Sequence, residues 1–265
     1  MAVQNTTGSM VGYQRRLQDY FNYKNLFNII GWGVLALVVL FVLVPAATNG
    51  NWQPFSIWST WTFLLDGLWV TLQVAFYSVI LSMIFGVILA LGRLSNNPII
   101  SVPSVVFIEV VRALPSYLII FYAFIGLPKI GVKLDAIWFA VIGLTIYTSA
   151  ILAEVVRAGI LSVEKGQLEA AYSLGLRPYQ TLYLIVMPQA LRRMVPSIVS
   201  QLITLTKDTS LAAIIALQEL TRKGQQLYQF NGNILETMFI VGMIYFVVCY
   251  ILSLISSKLE VKRPR

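Results

Sequence analysis

Residues 68–91 read LWVTLQVAFYSVILSMIFGVILAL, twenty-four residues without a charge, closed off by Asp66 before them and Arg93 after them. A helix needs about 20 predominantly apolar residues to cross a bilayer, so this stretch predicts a membrane-spanning helix with some tilt. Upstream, Phe27 to Ala47 is a second uncharged run, of 21 residues. It begins too late and runs too long for a cleaved signal peptide. Arg15, Arg16 and Lys24 precede it as a cytoplasmic anchor would, although the small residues Ala46 and Ala47 lie at its end; we read it as a signal-anchor helix that stays. Downstream, further spans are expected at about Pro103 to Leu127, Ala136 to Val156, Val195 to Leu217 and Leu235 to Ser256. The third and fifth of the six contain charge or proline. The expectation is an all-α integral membrane protein with six transmembrane helices.

Composition agrees. The 265 residues are 58% hydrophobic and 11% charged, where soluble domains carry about a quarter charged residues; a soluble globular enzyme is excluded. There is no histidine and a single cysteine, Cys249, which removes a Ser-His-Asp triad, a Cys-His pair, a His-ligated metal and an intrachain disulfide. No catalytic residue and no metal site is expected.

The net charge of +8 is explained by its distribution. With both termini inside, thirteen of the nineteen Lys and Arg fall in inner segments and only Lys129, Lys133, Arg222 and Lys223 in outer ones, while Arg112 and Lys207 lie within spans. This is the positive-inside bias, and no nucleic acid is needed to account for it. It makes residues 1–26 a cytoplasmic tail, 258–265 a basic cytoplasmic tail, and 157–193 a cytoplasmic loop. No linker, low-complexity tract or internal repeat divides the spans. Trp52, Trp58, Trp61 and Tyr228 in the outer segments suit the membrane interface.

The loop is long for a simple connection and reads as two short helices. Glu164 to Leu174 has good helix formers, with Leu168, Ala171, Tyr172 and Gly175 at i, i+3, i+4 and i+7; Gly175 sits where a left-handed residue closes a helix, and Pro178 permits a new one to begin. Ala170 and Ala171 leave a smooth surface for another protein. The loop otherwise folds back on its own bundle.

Here the sequence resembles a known family. Glu169-Ala170-Ala171, three residues, Gly175, nine residues, Ile185 and then Pro188 are similar to the EAA motif of the permease subunits of ATP-binding-cassette importers. Met187 stands where Leu is usual, a volume-conserving exchange. Arg112-Ala113-Leu114-Pro115, Ala153-Glu154 through Arg157-Ala158-Gly159-Ile160, Lys165-Gly166-Gln167, Pro188-Gln189-Ala190 and Lys207-Asp208-Thr209-Ser210-Leu211 resemble the polar amino acid permease branch, Ala113 being a minor departure. The likeness covers about residues 67–257. It implies a type I importer core of five spans, with 27–47 as an added N-terminal helix. It also implies that the loop couples to a separate ATPase subunit through Glu169, Ala170, Ala171, Gly175 and Pro188. ATP and magnesium would sit on that partner, since the chain has no G-x-x-x-x-G-K-[ST] loop. A second permease, the same or related, and an extracytoplasmic amino-acid-binding protein complete the implied assembly, in the bacterial inner or plasma membrane.

Charges inside the membrane are costly unless paired or hydrated. Glu109 and Arg112 are i,i+3 on one expected helix and Glu154 lies near the inner end of another. Either Arg112 pairs with Glu109 or Glu154 structurally, or it lines the passage as a carboxylate contact. Lys207-Asp208-Thr209-Ser210 is the stronger site candidate. Asp208 can accept an ammonium while Lys207 and the hydroxyls of Thr209 and Ser210 meet a carboxylate, as a zwitterion requires. The alternative is a helix end, with Asp208 or Thr209 capping the next helix and Lys207 snorkelling outward. Gln201 lies two turns before Asp208 with Thr204 between them, and Thr148 and Ser149 add hydroxyls on the fourth span. One free carboxylate favours glutamine or glutamate over a cationic amino acid. The competing function classes are an ion-coupled secondary transporter or channel, carrying protons or sodium on Glu109, Glu154 and Asp208, and a non-transporting scaffold. Neither needs the long loop.

Overall fold

A computed structural model describes residues 50–261 and Gly33; apart from that glycine, the expected span Phe27 to Ala47 and the N-terminal tail lie outside the described residues, as do residues 262–265. Gln53–Arg265 forms a compact unit of its own. After a 3-10 turn, Gln53–Ser56, come α1 (Trp58–Arg93), α2 (Pro98–Ala113), α3 (Ser116–Lys129) and α4 (Ala136–Leu161). The loop contributes α5 (Lys165–Ser173) and α6 (Pro178–Thr181), and a π-helical turn, Leu182–Val186, leads into α7 (Met187–Asp208). A 3-10 segment, Thr209–Ile215, then α8 (Leu220–Asn231) and α9 (Ile234–Val261) finish the chain. Among the described residues there is no strand, four stretches are long and apolar enough to cross a membrane, and α2 with α3 makes a bent fifth. The sixth expected span is the one outside the described residues.

The third span departs from its expected form. Instead of one helix from Pro103 to Leu127, α2 and α3 meet at 107°. Pro115 disfavours the helical conformation for the residue before it, and Leu114 is extended at φ −92°, ψ 142°. α3 runs antiparallel to α4: an added Cβ on Gly143 would meet the Cα of Ile120 at 2.6 Å, and Phe124 packs edge-on to Phe139 at 5.6 Å. α2 therefore crosses the bundle rather than following it. Its Ile108 is buried with Ala90 of α1 and Ala153 and Val156 of α4, at the end of the bundle from which the loop emerges; we call this the loop end.

α1 and α4 form the centre. On α1, Ser78, Ser82, Gly86 and Ala90 recur every four residues and are all buried, a small-residue stripe of the kind that lets membrane helices approach closely. A Cβ on Gly86 would stand 2.8 Å from Leu152 Cβ and 3.3 Å from the Ser149 carbonyl. α1 starts ten residues before the uncharged run because Asp66 is exposed on its surface while Gly67 is buried against Leu220 and Lys223. α8 occupies the expected outer segment, packed on α1 at Gly67 and on α9 through Gly224 against Val241.

Gly86→Val is expected to force α1 from α4 and destabilise the fold by about 1–3 kcal/mol, whereas Gly126→Ala, with nothing within 4 Å of the new Cβ, is expected to be nearly silent. Thermal unfolding midpoints of the two variants in detergent check this.

Candidate functional site: the polar face of α7 and the loop before it

The residues of α7 beyond Arg192 that are exposed are Arg193, Ser197, Ser200, Thr204 and Lys207. All five are polar, and they recur at i, i+4, i+7, i+11 and i+14, which is one helix face. The opposite face buries Met194, Leu205 and Thr206. A lipid-facing stripe would be apolar, so this face meets water or protein. Gln201 and Asp208 sit half-buried along its edge, seven residues apart and on one face as the spacing predicts.

At the far end of α7 the chain tightens into the 3-10 segment. Thr209 is fully buried and its hydroxyl donates to the Thr206 carbonyl at 2.7 Å, so it turns back on its own helix and caps nothing downstream. Ser210 is half-buried beside it. Ser149 is not part of this face. It is buried, bonded to the Ile146 carbonyl at 2.9 Å, and borders a separate cavity of about 460 Å³ with Leu81, Phe85 and Phe107.

At the loop end, the α7 face opens on a cavity of about 460 Å³ lined by Glu154, Ser162, Arg193 and Ser197. Arg193 donates to the Ser162 carbonyl. Glu154 is held by two arginines: Arg157 Nη2 and Nε donate to Oε2 at 2.9 and 3.2 Å, and Arg93 Nη1 stands 2.8 Å from Oε1 without hydrogen-bond alignment. The same Arg93 nitrogen donates to Glu109 Oε1 at 3.0 Å. The partner of both carboxylates is thus Arg93 at the end of α1, not Arg112, which is exposed and reaches Glu154 only by longer-range attraction. By sequence Arg93 falls in a loop; only the crossing of α2 brings it under Glu109.

The loop is anchored on one face and open on the other. Val163, Val186 and Ala190 are buried with Ala153 and Val156, and Leu168 and Leu182 pack against them. Ala171 is buried at 2% exposure, so of the expected smooth pair only Ala170 is at the surface, next to exposed Glu169. Gly175 adopts φ +77°, and the Leu176 N–H to Ala171 carbonyl bond with the Gly175 N–H to Tyr172 carbonyl bond makes a Schellman closure. Around it Tyr172, Leu174, Tyr179 and Tyr183 are exposed. The expected second short helix does not end: through the π turn it runs into α7, with Pro188 in the first turn.

One group escapes sequence reasoning altogether. Glu219, between the spans, has 0% exposure. Its carboxylate accepts from the Arg222 N–H at 2.7 Å and the Thr221 N–H at 2.8 Å, capping α8, and from the Tyr245 hydroxyl at 3.0 Å. Burial pushes this carboxyl above the ordinary glutamate range, against the opposing pull of those hydrogen bonds. Glu is not a favoured N-cap residue, so no sequence signal marks it.

A helical membrane protein with a polar face along one span and an outward-facing loop continuous with that span is built as a subunit of a transport system. The chain belongs to the family described as binding-protein-dependent transport system inner membrane component, which matches residues 82–265. Among its relatives, a probable glutamine ABC transporter permease of Bacillus subtilis (strain 168) is 50% identical over 204 residues, covering 76% of this chain and 94% of that one. A glutamate transport system permease of Corynebacterium glutamicum is 38% identical over 214 residues, 79% of this chain and 78% of its own length. A crystal structure of an amino acid ABC transporter with histidines superposes with a TM-score of 0.75 at 29% identity, over 79% of this chain and 98% of that one.

Because Glu219 binds its proton more readily folded than unfolded, acid favours the fold at this group: the contribution is complete below the ordinary carboxylate value and is lost as pH rises through the elevated one. The unfolding midpoint of the wild type relative to Glu219→Gln should therefore shift in the wild type's favour as pH is lowered from neutral. A flat or opposite trend in a pH series of melts contradicts this.

Proposed function

We propose that this chain is the membrane-spanning permease of an ATP-driven importer for a polar amino acid, glutamine or glutamate. The observation that carries the reading is the all-polar exposed face of α7 inside an otherwise apolar span, supported by the names of the relatives. Asp208 receives the substrate ammonium, and Lys207 with the Ser210 hydroxyl receives its carboxylate. Gln201 and Thr204 continue the path, Arg193 and Ser197 lead it to the loop end, and Arg112 stands exposed near that end. Glu109 and Glu154 serve structure, neutralised by Arg93 and Arg157. Ser149 belongs to the packing of α4.

The loop end is cytoplasmic, as the basic bias requires, with both termini on that side of a bacterial inner membrane. The open face of α5, with Glu169 and Ala170, docks on a separate ATPase that carries ATP and magnesium. Gly175 shapes the elbow, and the unbroken run from α6 to α7 transmits the ATPase's rigid-body motion to the path. A second permease, this chain or a related one, covers the polar face, and an extracytoplasmic binding protein delivers the amino acid. Residues 67–257 form the permease core, and 27–47 are an added anchor.

Two measurements test this. Affinity-purified wild type should carry an ABC-type ATPase at near-equal stoichiometry, and Glu169→Lys should lose it while remaining folded; a folded chain with no ATPase sinks the coupling assignment. Asp208→Asn should lower uptake of labelled L-glutamine by about tenfold or more, the scale of one charge-assisted hydrogen bond, and Gln201→Ala should alter the preference between L-glutamine and L-glutamate. Unchanged rate and preference in both remove the path.

A further inference from the structure

Glu219 does more than a helix cap requires. The two N–H groups at the start of α8 could be satisfied by a short Asp, Asn or Ser, with less side chain to bury. A glutamate carboxylate with 0% exposure and, among the described residues, no ion-pair partner is a costly substitute. The longer side chain reaches further. Its Oε2 also accepts from the Tyr245 hydroxyl on α9 at 3.0 Å.

Tyr245 is a junction. Its hydroxyl oxygen lies 3.2 Å from Thr221 Oγ1, and the side chains of Thr71 on α1 and Thr209 face the same phenol. Thr71 in turn accepts from the Leu220 N–H at 3.1 Å, next to Glu219 in the chain. Thr71 and Thr209 are both at 0% exposure. A phenol has one proton to give. The carboxylate takes that proton, which leaves the phenol oxygen to accept from the Thr221 hydroxyl; Thr209, whose own proton goes to the Thr206 carbonyl, lies against the phenol without donating to it. Thr209 is covalently joined to Asp208 and Ser210, so the phenol that Glu219 holds in place is also the surface against which this end of the span rests.

We propose that Glu219, acting through the Tyr245 hydroxyl, is a positioning residue for the amino acid contacts at Asp208 and Ser210. This rests on the reading of α7 as the path. The charge of Glu219 does not touch the substrate; it sets the end of the span against α1, α8 and α9 so that the Asp208 carboxylate meets the ammonium in register.

The test is equilibrium dialysis of radiolabelled L-glutamine against the purified permease assembly in lipid nanodiscs, without binding protein. It compares wild type with Glu219→Gln, Tyr245→Phe, their double variant and Asp208→Asn. Glu219→Gln and Tyr245→Phe should each raise Kd about tenfold, the scale of one lost hydrogen bond to a charged group. The double variant should be no worse than either single one, because the two act in series. The number of sites per folded protein should stay the same. A lower site number at unchanged Kd means a merely structural role and overturns the proposal, as do independent, multiplying effects of the two substitutions. If Asp208→Asn weakens binding while Glu219→Gln and Tyr245→Phe do not, this inference alone fails. If wild type binds no L-glutamine, or Asp208→Asn binds as wild type does, the path reading fails and takes this inference with it. Tyr245→Phe removes a single oxygen, so it keeps the test open should Glu219→Gln fold poorly.

Discussion

The close approach of α1 to α4 at Gly86 sets the distances on which the rest depends. With no side chain at Gly86 and only a methyl at Ala90 and Ala153, the two helix axes come near enough for Leu152 to pack over the glycine. Arg93, one further turn along α1, then reaches Glu154 on α4. The neutralised end provides the floor across which α2 lies, with Ile108 on Ala90 and Glu109 on Arg93. α4 continues to Gly159, whose missing side chain leaves room for Met194 of α7. That contact buries one face of α7 and turns its polar face outward. A bilayer offers no hydrophobic drive between helices, so this order rests on van der Waals contact between small residues.

The helical class and the existence of five of the spans are legible in the sequence because the signal there is length of uncharged chain, a quantity that needs no partner. The loop closure at Gly175 is legible because a left-handed residue after a helix is a local demand that only a few residue types meet. Where α1 begins is not, since a charge such as Asp66 ends an apolar run but not a helix. α2 and α3 read as one rod although Pro115 is in view, because a proline marks a possible break and gives no angle; the packing of Ile120 on Gly143 sets the 107°. The i,i+3 spacing points the ion pairs to Arg112, and the actual partner, Arg93, lies sixteen residues from Glu109. A tertiary crossing of that kind leaves no trace in local spacing.

The polar face of α7 is a different case. Arg193, Ser197, Ser200, Thr204 and Lys207 are regularly spaced in the sequence, yet Ser197 and Ser200 do not stand out there because isolated serines are common in membrane helices, where a hydroxyl bonds to the carbonyl one turn back, as Thr204 does to Ser200 at 3.1 Å. What separates one polar face from scattered hydroxyls is that the apolar residues between them are buried or half-buried and the polar ones are exposed. That distinction needs burial, which only the fold supplies. Glu219 is hidden for the same reason, since its meaning lies in Tyr245, twenty-six residues on.

The polar face of α7 and the loop are one continuous piece of chain. α6 passes into the π turn at Leu182–Val186 and then into α7 without a break, the Met187 N–H bonding to the Leu182 carbonyl. A π turn inserts a residue into the helix and re-aims the turns beyond it, here while keeping the backbone ladder closed, so displacement of the loop is not absorbed by a flexible hinge. The near end of α7 is tied to the loop through Arg193 and the Ser162 carbonyl and through Gln189 and Gln167 at 3.3 Å. Its far end is held by Thr209 among the buried hydroxyls around Tyr245. α7 is thus tied at both ends and packed along one side at Met194 and Leu205, which leaves its polar face as the side that the fold does not cover.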